Sequence, residues 1–463
     1  MLEHLPKAQT KPLLRREQSR LLWSIALPAM LTNLATALFG LADMWTIGRL
    51  GDAPAQGGVE LGAKFMVGLL NVFNFLRTST VALTAQSSGR ADRHSSAETL
   101  SRAMAVASGI ALMLMIVMPF AIPFGLDILD ARDSLRAEAT TYISIRYWAA
   151  PFWLANCVLV GWLVGQRKVR QVLFVEVSAN VLHIALDLLL VLGAGWGIKG
   201  VASATLVSEA LKLLLLAAIA ARNPGAYEAV RTFARRATWQ RSELVRLFAL
   251  NRDLFARTLL LTGAMMLFAR TGAQSGPVTL AANGILFQLF MLATLLLDGF
   301  ENAAQVLCGE AAGAGARERL KSTLKLALAW GGLLGAAIAL AYLLGAQNLA
   351  GYFSTDPQVR AMTATYAPWV AVLPLAGFAS FVLDGVFVGA AWTRAMLGTM
   401  LVAIGCYAAT LWLAQTLGNH GLWLAFAIFF VIRAAGQFAV LPVLMSRIEP
   451  NRLRQSASSQ DQR

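Results

Sequence analysis

The run VSANVLHIALDLLLV, Val177 to Val191, decides how the chain is read. It is helix-forming, almost wholly apolar and bounded by further apolar sequence, yet it carries Asn180, His183 and Asp187. His183 and Asp187 are four apart, so a helix puts them on one face, one turn from each other. An ionisable group in hydrocarbon costs a few kcal/mol at least, and it usually lines a watery path or pairs inside a bundle. The competing reading is an Asp at the membrane interface that is simply solvated. The rest of the chain has to choose.

Working outward, hydrophobic residues are 57% of the 463 and charged residues only 14%, where soluble domains hold about 25% charged. Twelve segments meet the length of about 20 apolar residues needed to cross a bilayer. They are 21–47, 59–85, 100–124, 141–165, 172–193, 198–221, 251–272, 279–308, 322–345, 362–389, 395–417 and 421–446, numbered here as spans 1 to 12. A long first run behind a polar, basic stretch argues against a cleavable signal. Cys157, Cys308 and Cys406 all fall inside apolar runs and match no zinc spacing, so they read as buried thiols.

The net charge of +14 raises the question of nucleic acid. Its distribution answers differently. With the N-terminus assigned to the cytoplasm, the cytoplasmic segments and the adjoining first turns of the spans carry 28 Lys and Arg, and the opposite side, counted in the same way, 5. That is a topology signal, so no nucleic-acid partner is expected. Both termini are expected in the cytoplasm. The domain reading is a cytoplasmic segment 1–20, a six-helix lobe 21–221, a basic connector 222–250, a second six-helix lobe 251–446 and a cytoplasmic tail 447–463.

The chain repeats itself at an offset near 220. Gly161-Trp-Leu-Val-Gly165 with Arg170 answers Gly385-Val-Phe-Val-Gly389 with Arg394, and Gly197-x-x-Gly200 answers Gly418-x-x-Gly421. Gly89-Arg-Ala91 answers Gly309-Glu-Ala311. Six spans per repeat is an even number, so the halves run parallel. The expected fold is an all-α integral membrane protein, twelve transmembrane helices in two parallel-repeat six-helix lobes, a transporter plan.

The stretch Leu27-Pro-Ala-Met-Leu-Thr-Asn33, then Gly40-Leu-Ala-Asp43, then Ile47-Gly48 resembles the multidrug and toxic compound extrusion (MATE) family. So do Leu83-Thr-Ala-Gln86, Ala185-Leu-Asp187, Gly197-Ile-Lys-Gly200 and Leu297-Asp-Gly299. Tyr142 to Gly165 and the Leu-Asp-Gly of span 8 are most similar to its DinF-like branch. The resemblance covers almost the whole chain and implies a cation-coupled exporter. It also implies a cation or proton site in the N-terminal lobe, at Asp43, Asp187 and Thr205, with Tyr142 as a further match.

Depth gives an independent check on that set. At 1.5 Å per residue Asp43 lies about 7 Å below the outer end of span 1, Asp187 about 9 Å down span 5 and Thr205 about 10 Å down span 6. Three spans thus bring polar groups to one level. Where the family often has Asn, four residues before the span 5 Asp, this chain has His183. That replaces a neutral amide by a group titrating near pH 6.5 and leans toward H+ over Na+. Lys64 enters span 2 at about the same depth and is expected to pair with Asp43 or Asp187, which would oppose protonation.

The C-terminal lobe offers Asp298, Glu301 and Asp384. Arg77 of span 2 is expected to pair with Asp298 or Glu301 as an inner gate. For Arg433 the expectation is a plain buried ion pair. Met and Phe residues such as Met265, Met266, Phe287, Phe290 and Met291 offer material for an adaptable cavity.

The expected activity is secondary active export of bulky apolar or cationic small molecules, by a monomer, across a bacterial cytoplasmic membrane. No catalytic constellation, cofactor or metal site is expected, with four histidines scattered along the chain. Two rival readings stay open. A major-facilitator transporter shares the 6 + 6 plan, and Gly89-Arg-Ala-Asp92-Arg93 imitates part of its loop signature, but His94-Ser95-Ser96 breaks the imitation. A flippase for lipid-linked glycans would use cationic cavity residues such as Lys64, Arg77 and Arg270.

Overall fold

The computed structural model describes residues 15–354 and 356–448. The outer parts of segments 1–20 and 447–463 lie outside the described residues. Among those described, every regular element is helical. Twelve helices are long and apolar enough to cross a membrane. They are Arg15–Gly48, Pro54–Gly89, Arg93–Ile128, Asp133–Gly165, Val169–Gly193, Gly197–Ala221, Arg241–Gln274, Pro277–Gly313, Arg317–Gly345, Pro357–Gly389, Thr393–Leu413 and Asn419–Ser446. Each of the twelve apolar segments falls within one of them, apart from a few residues at the end of span 11. The helices overrun the segments because their polar ends continue to satisfy backbone groups. Asp52, Asp92 and Asp356 cap the starts of spans 2, 3 and 10, each accepting from a backbone N–H in the first turn.

Much of the expected connector 222–250 is helical. A helix at Pro224–Phe233 and a 3₁₀ turn at Arg236–Trp239 occupy it, and span 7 starts at Arg241. The basic residues from Arg241 to Arg257 are thus the first turns of span 7. Charge concealed a helix that continues beyond the apolar core.

By contact, the chain forms two compact units. One is Pro28–Met265; the other joins Met1–Leu27 to Met266–Arg463. The divisions fall inside spans 1 and 7, whereas the repeat divides the chain between spans 6 and 7. Spans 1 and 7 are repeat equivalents, and each gives its first part to the unit built mainly from the other repeat. Within the second unit, Gln18 accepts from Ser322 Oγ at 2.6 Å, and Trp23 meets Phe300 and Trp330 edge-on. Within the first, Arg246 donates to Gln86 at 3.2 Å.

The repeat is visible in packing as well as order. A Cβ on Gly161 would stand 2.7 Å from the Arg77 carbonyl, and one on Gly165 would stand 2.6 Å from Thr84 Cβ. In the second unit a Cβ on Gly385 would meet the Glu301 carbonyl and one on Gly389 the Gln305 carbonyl. Spans 2 and 4, and spans 8 and 10, therefore approach backbone to backbone through the same Gly-x-x-x-Gly pattern, the close packing that small residues permit in membranes.

Spans 1 and 5 each depart locally from regular α-helical hydrogen bonding. Pro28 stands inside span 1 and removes one backbone donor, and Thr32 Oγ1 donates to the Pro28 carbonyl at 2.9 Å. Span 5 changes to a π-helical turn over Leu188–Gly193, immediately after Asp187. Such wide turns are frequent at functional sites.

Candidate functional site: a histidine between two buried aspartates

Asn180, His183 and Asp187 lie on one face of span 5, as their spacing requires. That face meets span 1 at Asp43. His183 and Asp187 have no exposed surface, and Asp43 keeps 4%. The imidazole Nε2 is 2.5 Å from Asp43 Oδ1 and 3.1 Å from Asp187 Oδ2. Only the first contact has hydrogen-bond geometry. Both Asp187 oxygens are buried without a hydrogen-bond donor, so Asp187 is near the ring but not served by it. One N–H cannot satisfy two carboxylates.

The other ring nitrogen, Nδ1, is 3.4 Å from Ser208 Oγ on span 6. Ser208 Oγ donates to the Thr205 carbonyl at 2.9 Å. With that proton committed, the hydroxyl oxygen can accept from Nδ1 when the ring carries a proton there. The contact between Nε2 and Asp43 holds a proton, either on the ring or on the carboxyl group. The cluster thus joins an imidazole and one carboxyl group by a hydrogen bond, beside a second carboxyl group with no hydrogen-bond partner.

Tyr142 is fully buried in span 4, its hydroxyl accepts from Arg146, and the guanidinium lies 5.4 Å from the centre of the phenol ring. Arg146 is within electrostatic reach of Asp43 and of Glu209, so a fixed cation stands by the cluster. Asn180 adds a buried amide nitrogen without a hydrogen-bond partner, three residues before His183 on the same span.

Three expectations change. Lys64 does not reach either aspartate. It pairs with Glu60 on its own helix at 2.8 Å, and its side chain is 67% exposed, because residues four apart share a face and that face points outward. Thr205 spends its hydroxyl on the Val201 carbonyl, 3.2 Å away; Ser208, one turn further along span 6, makes the contact. And scattered histidines do not preclude a cation site. Asp43, His183 and Asp187 offer donor atoms within 4.8 Å of one another. Ser208 is a site residue that the sequence alone did not single out; it was legible only as the residue three after Thr205 on the same helical face.

Elsewhere in this unit Lys212 pairs with Glu176 at 2.7 Å, and Asn156 donates to Glu209 Oε2 at 2.8 Å. Arg77 is half-buried in span 2.

The second unit has its own buried acid. Asp384 of span 10 is wholly buried, with Arg433 donating to Oδ2 and Gln437 Nε2 donating to Oδ1 at 2.6 Å. The Arg433 guanidinium also lies over Phe429 and Phe430, at 5.3 and 5.4 Å from the ring centres. Asp298 and Glu301 are half-buried on span 8, and the Asp298 carbonyl accepts from Asn302 at 2.7 Å.

Residues 28–189 and 254–413 match the MatE family model, one stretch in each repeat. The chain belongs to the MatE family. It is 32% identical over 419 residues to DNA damage-inducible protein F of Escherichia coli (strain K12), covering 90% of this chain and 91% of that one. It is 21% identical to the probable multidrug resistance protein NorM of Idiomarina loihiensis, over 86% of this chain and 88% of the relative. A solved MATE transporter in a bent conformation superposes with a TM-score of 0.85, at 18% identity, covering 95% of this chain and 99% of that one. The MatE stretches contain all three residues of the Asp43–His183–Asp187 cluster. They also fix the class: MatE relatives are membrane transporters, and the twelve-helix fold is theirs.

Proposed function

We propose that this MatE protein is a proton-coupled antiporter that exports bulky apolar or cationic compounds, with Asp43, His183 and Asp187 as the exchange site. The observation that carries this reading is the uneven hydrogen bonding in a buried cluster, where Asp43 meets His183 and Asp187 has no hydrogen-bond partner. Asp187 thus has room for a proton. Two buried carboxylates beside one another resist being ionised together, and Arg146 supplies one compensating charge. Ionised, the cluster attracts a cationic substrate or holds water between spans 1 and 5. Protonated, it loses that attraction and lets the spans close, with span 1 bending at Pro28. A proton entering from outside then expels the substrate, provided the two compete for one state of the site. Asn180 Nδ2 is a donor available to water held in the cluster.

Sodium is the second reading, supported by the three donor atoms that could surround a small cation. The imidazole weighs against it, since hard cations favour oxygen ligands and His183 puts nitrogen at the centre. Purified protein in liposomes decides between them, with pH and sodium gradients imposed separately. An inward pH gradient alone should drive substrate accumulation. Accumulation driven by sodium alone, and not by pH, would overturn the proton reading.

The 28-to-5 charge asymmetry supports a bacterial cytoplasmic-membrane location with both termini inside. A Cys at Gln240 that reacts with an impermeant reagent from outside intact cells would reverse that orientation.

A further inference from the structure

The connector helix Pro224–Phe233 has two unlike faces. One is held by span 3. Ser101 Oγ donates to the Ala229 carbonyl at 2.6 Å and lies 3.0 Å from Thr232 Oγ1. Arg102 Nε donates to the Thr238 carbonyl at 2.7 Å. His94 Nδ1 meets Glu228 Oε1 at 2.8 Å. The other face is apolar and uncovered: Tyr227 is 63% exposed, Val230 74% and Phe233 52%. Their spacing of three keeps them on one side of the helix.

The charge around that apolar face has one sign. Residues 222–241 contain five Arg (Arg222, Arg231, Arg235, Arg236 and Arg241) and one acid, Glu228, which faces His94. All five Arg are exposed. The Arg231 guanidinium lies 4.5 Å from the centre of the Tyr227 ring and donates to its hydroxyl at 3.0 Å. An apolar strip edged by arginines is the pattern of a helix lying in a membrane interface, with the apolar side toward the acyl chains and the cations at the headgroups. Its attachments hold it at that level. Span 6 ends at Ala221, and Ser101, at the start of the apolar run of span 3, holds Ala229, so the helix is fixed near the level where the apolar runs begin.

We propose that the connector is a docking surface for anionic phospholipid, with Tyr227, Val230 and Phe233 entering the leaflet and Arg231, Arg235 and Arg236 contacting the headgroups. Anionic lipid is favoured over a protein partner by the unbroken basic rim and by the fixed depth of the helix. Lipid of this kind holds the connector flat, and through Ser101, Arg102 and His94 it bears on the start of span 3.

The test uses the full chain, with its three native cysteines replaced, a Val230→Cys substitution and an NBD label on the new thiol. The protein is reconstituted into vesicles of zwitterionic phosphatidylcholine, and into the same vesicles with phosphatidylglycerol added. The proposal expects blue-shifted NBD emission with phosphatidylglycerol and water-like emission without it. Raising sodium chloride should weaken the difference. R231Q/R235Q/R236Q should reduce the preference for the anionic vesicles by on the order of a hundredfold. Water-like emission in both vesicles, or an equal shift in both, would overturn the proposal. So would reversal of the shift by inorganic phosphate beyond the effect of chloride at equal ionic strength, since that would reveal a site for free phosphate.

Discussion

Asp187 and Asp384 are both wholly buried carboxylates inside helical units, and their surroundings are opposite. Asp384 has Arg433 on one oxygen and Gln437 on the other. Its charge is balanced by a cation that cannot leave, because that cation belongs to span 12. Asp187 has neither oxygen hydrogen-bonded, and its nearest basic neighbour is an imidazole already engaged with Asp43. A satisfied buried pair is a structural joint. A pair short of donors has a position open to a proton, and its net charge can change. The difference teaches that burial alone does not make an acid an exchange site; the supply of donors decides.

If that contrast is right, the largest effect comes from the unsatisfied cluster. Asp43→Asn and Asp187→Asn should each reduce gradient-driven efflux to background while leaving insertion and thermal stability near wild type. Vesicle transport and a melting curve on the same preparations check this. Efflux at wild-type rates in either variant would move the exchange site elsewhere.

The satisfied pair should show the reverse. Arg433→Met strands the Asp384 carboxylate, and breaking a buried pair costs about 3–5 kcal/mol, so the melting temperature should fall steeply. Asp384→Leu combined with Arg433→Leu should recover much of the loss, because the second change removes the stranded charge. Among correctly folded molecules, the pH dependence of transport should stay as in wild type. A double variant no more stable than the worse single one would mean that Asp384 and Arg433 do not act as a pair.

A smaller effect sharpens the comparison within the first unit. Arg146→Gln removes the fixed cation beside Asp43 and makes the ionised cluster less favourable. Proton uptake then persists to higher pH, so the alkaline limb of the efflux profile should move up by on the order of one pH unit. A limb that stays in place, or moves down, would show that Arg146 serves Tyr142 alone.

Periodicity within single helices set how much of this was legible in the sequence. Twelve spans were legible because each needs a long apolar run. The pairing of spans 2 with 4 and 8 with 10 was foreshadowed by Gly161-x-x-x-Gly165 and Gly385-x-x-x-Gly389. His183 and Asp187 had to share a face, since both sit on one helix. Which neighbour that face meets depends on the rotation of one helix against another, and no single-helix pattern contains it. Lys64 therefore matched Asp43 in depth but points outward to Glu60, and Thr205 stood for a contact that Ser208 makes. Asp384 looked like part of an acidic site until span 12 brought Arg433 and Gln437 to it. The helix start at Arg241 was not legible because Arg241 to Arg257 carry charge without breaking the helix.

The central claim is that the Asp43–His183–Asp187 cluster gives up protons when substrate binds, while the Asp384 pair does not. Purified protein in a weakly buffered solution with a pH indicator tests it directly, by following proton release on addition of a cationic substrate. The account predicts release from wild type at mildly acidic pH, none from Asp187→Asn, and undiminished release from the Asp384→Leu/Arg433→Leu variant. Undiminished release from Asp187→Asn, or its loss only in the Asp384→Leu/Arg433→Leu variant, would contradict the account.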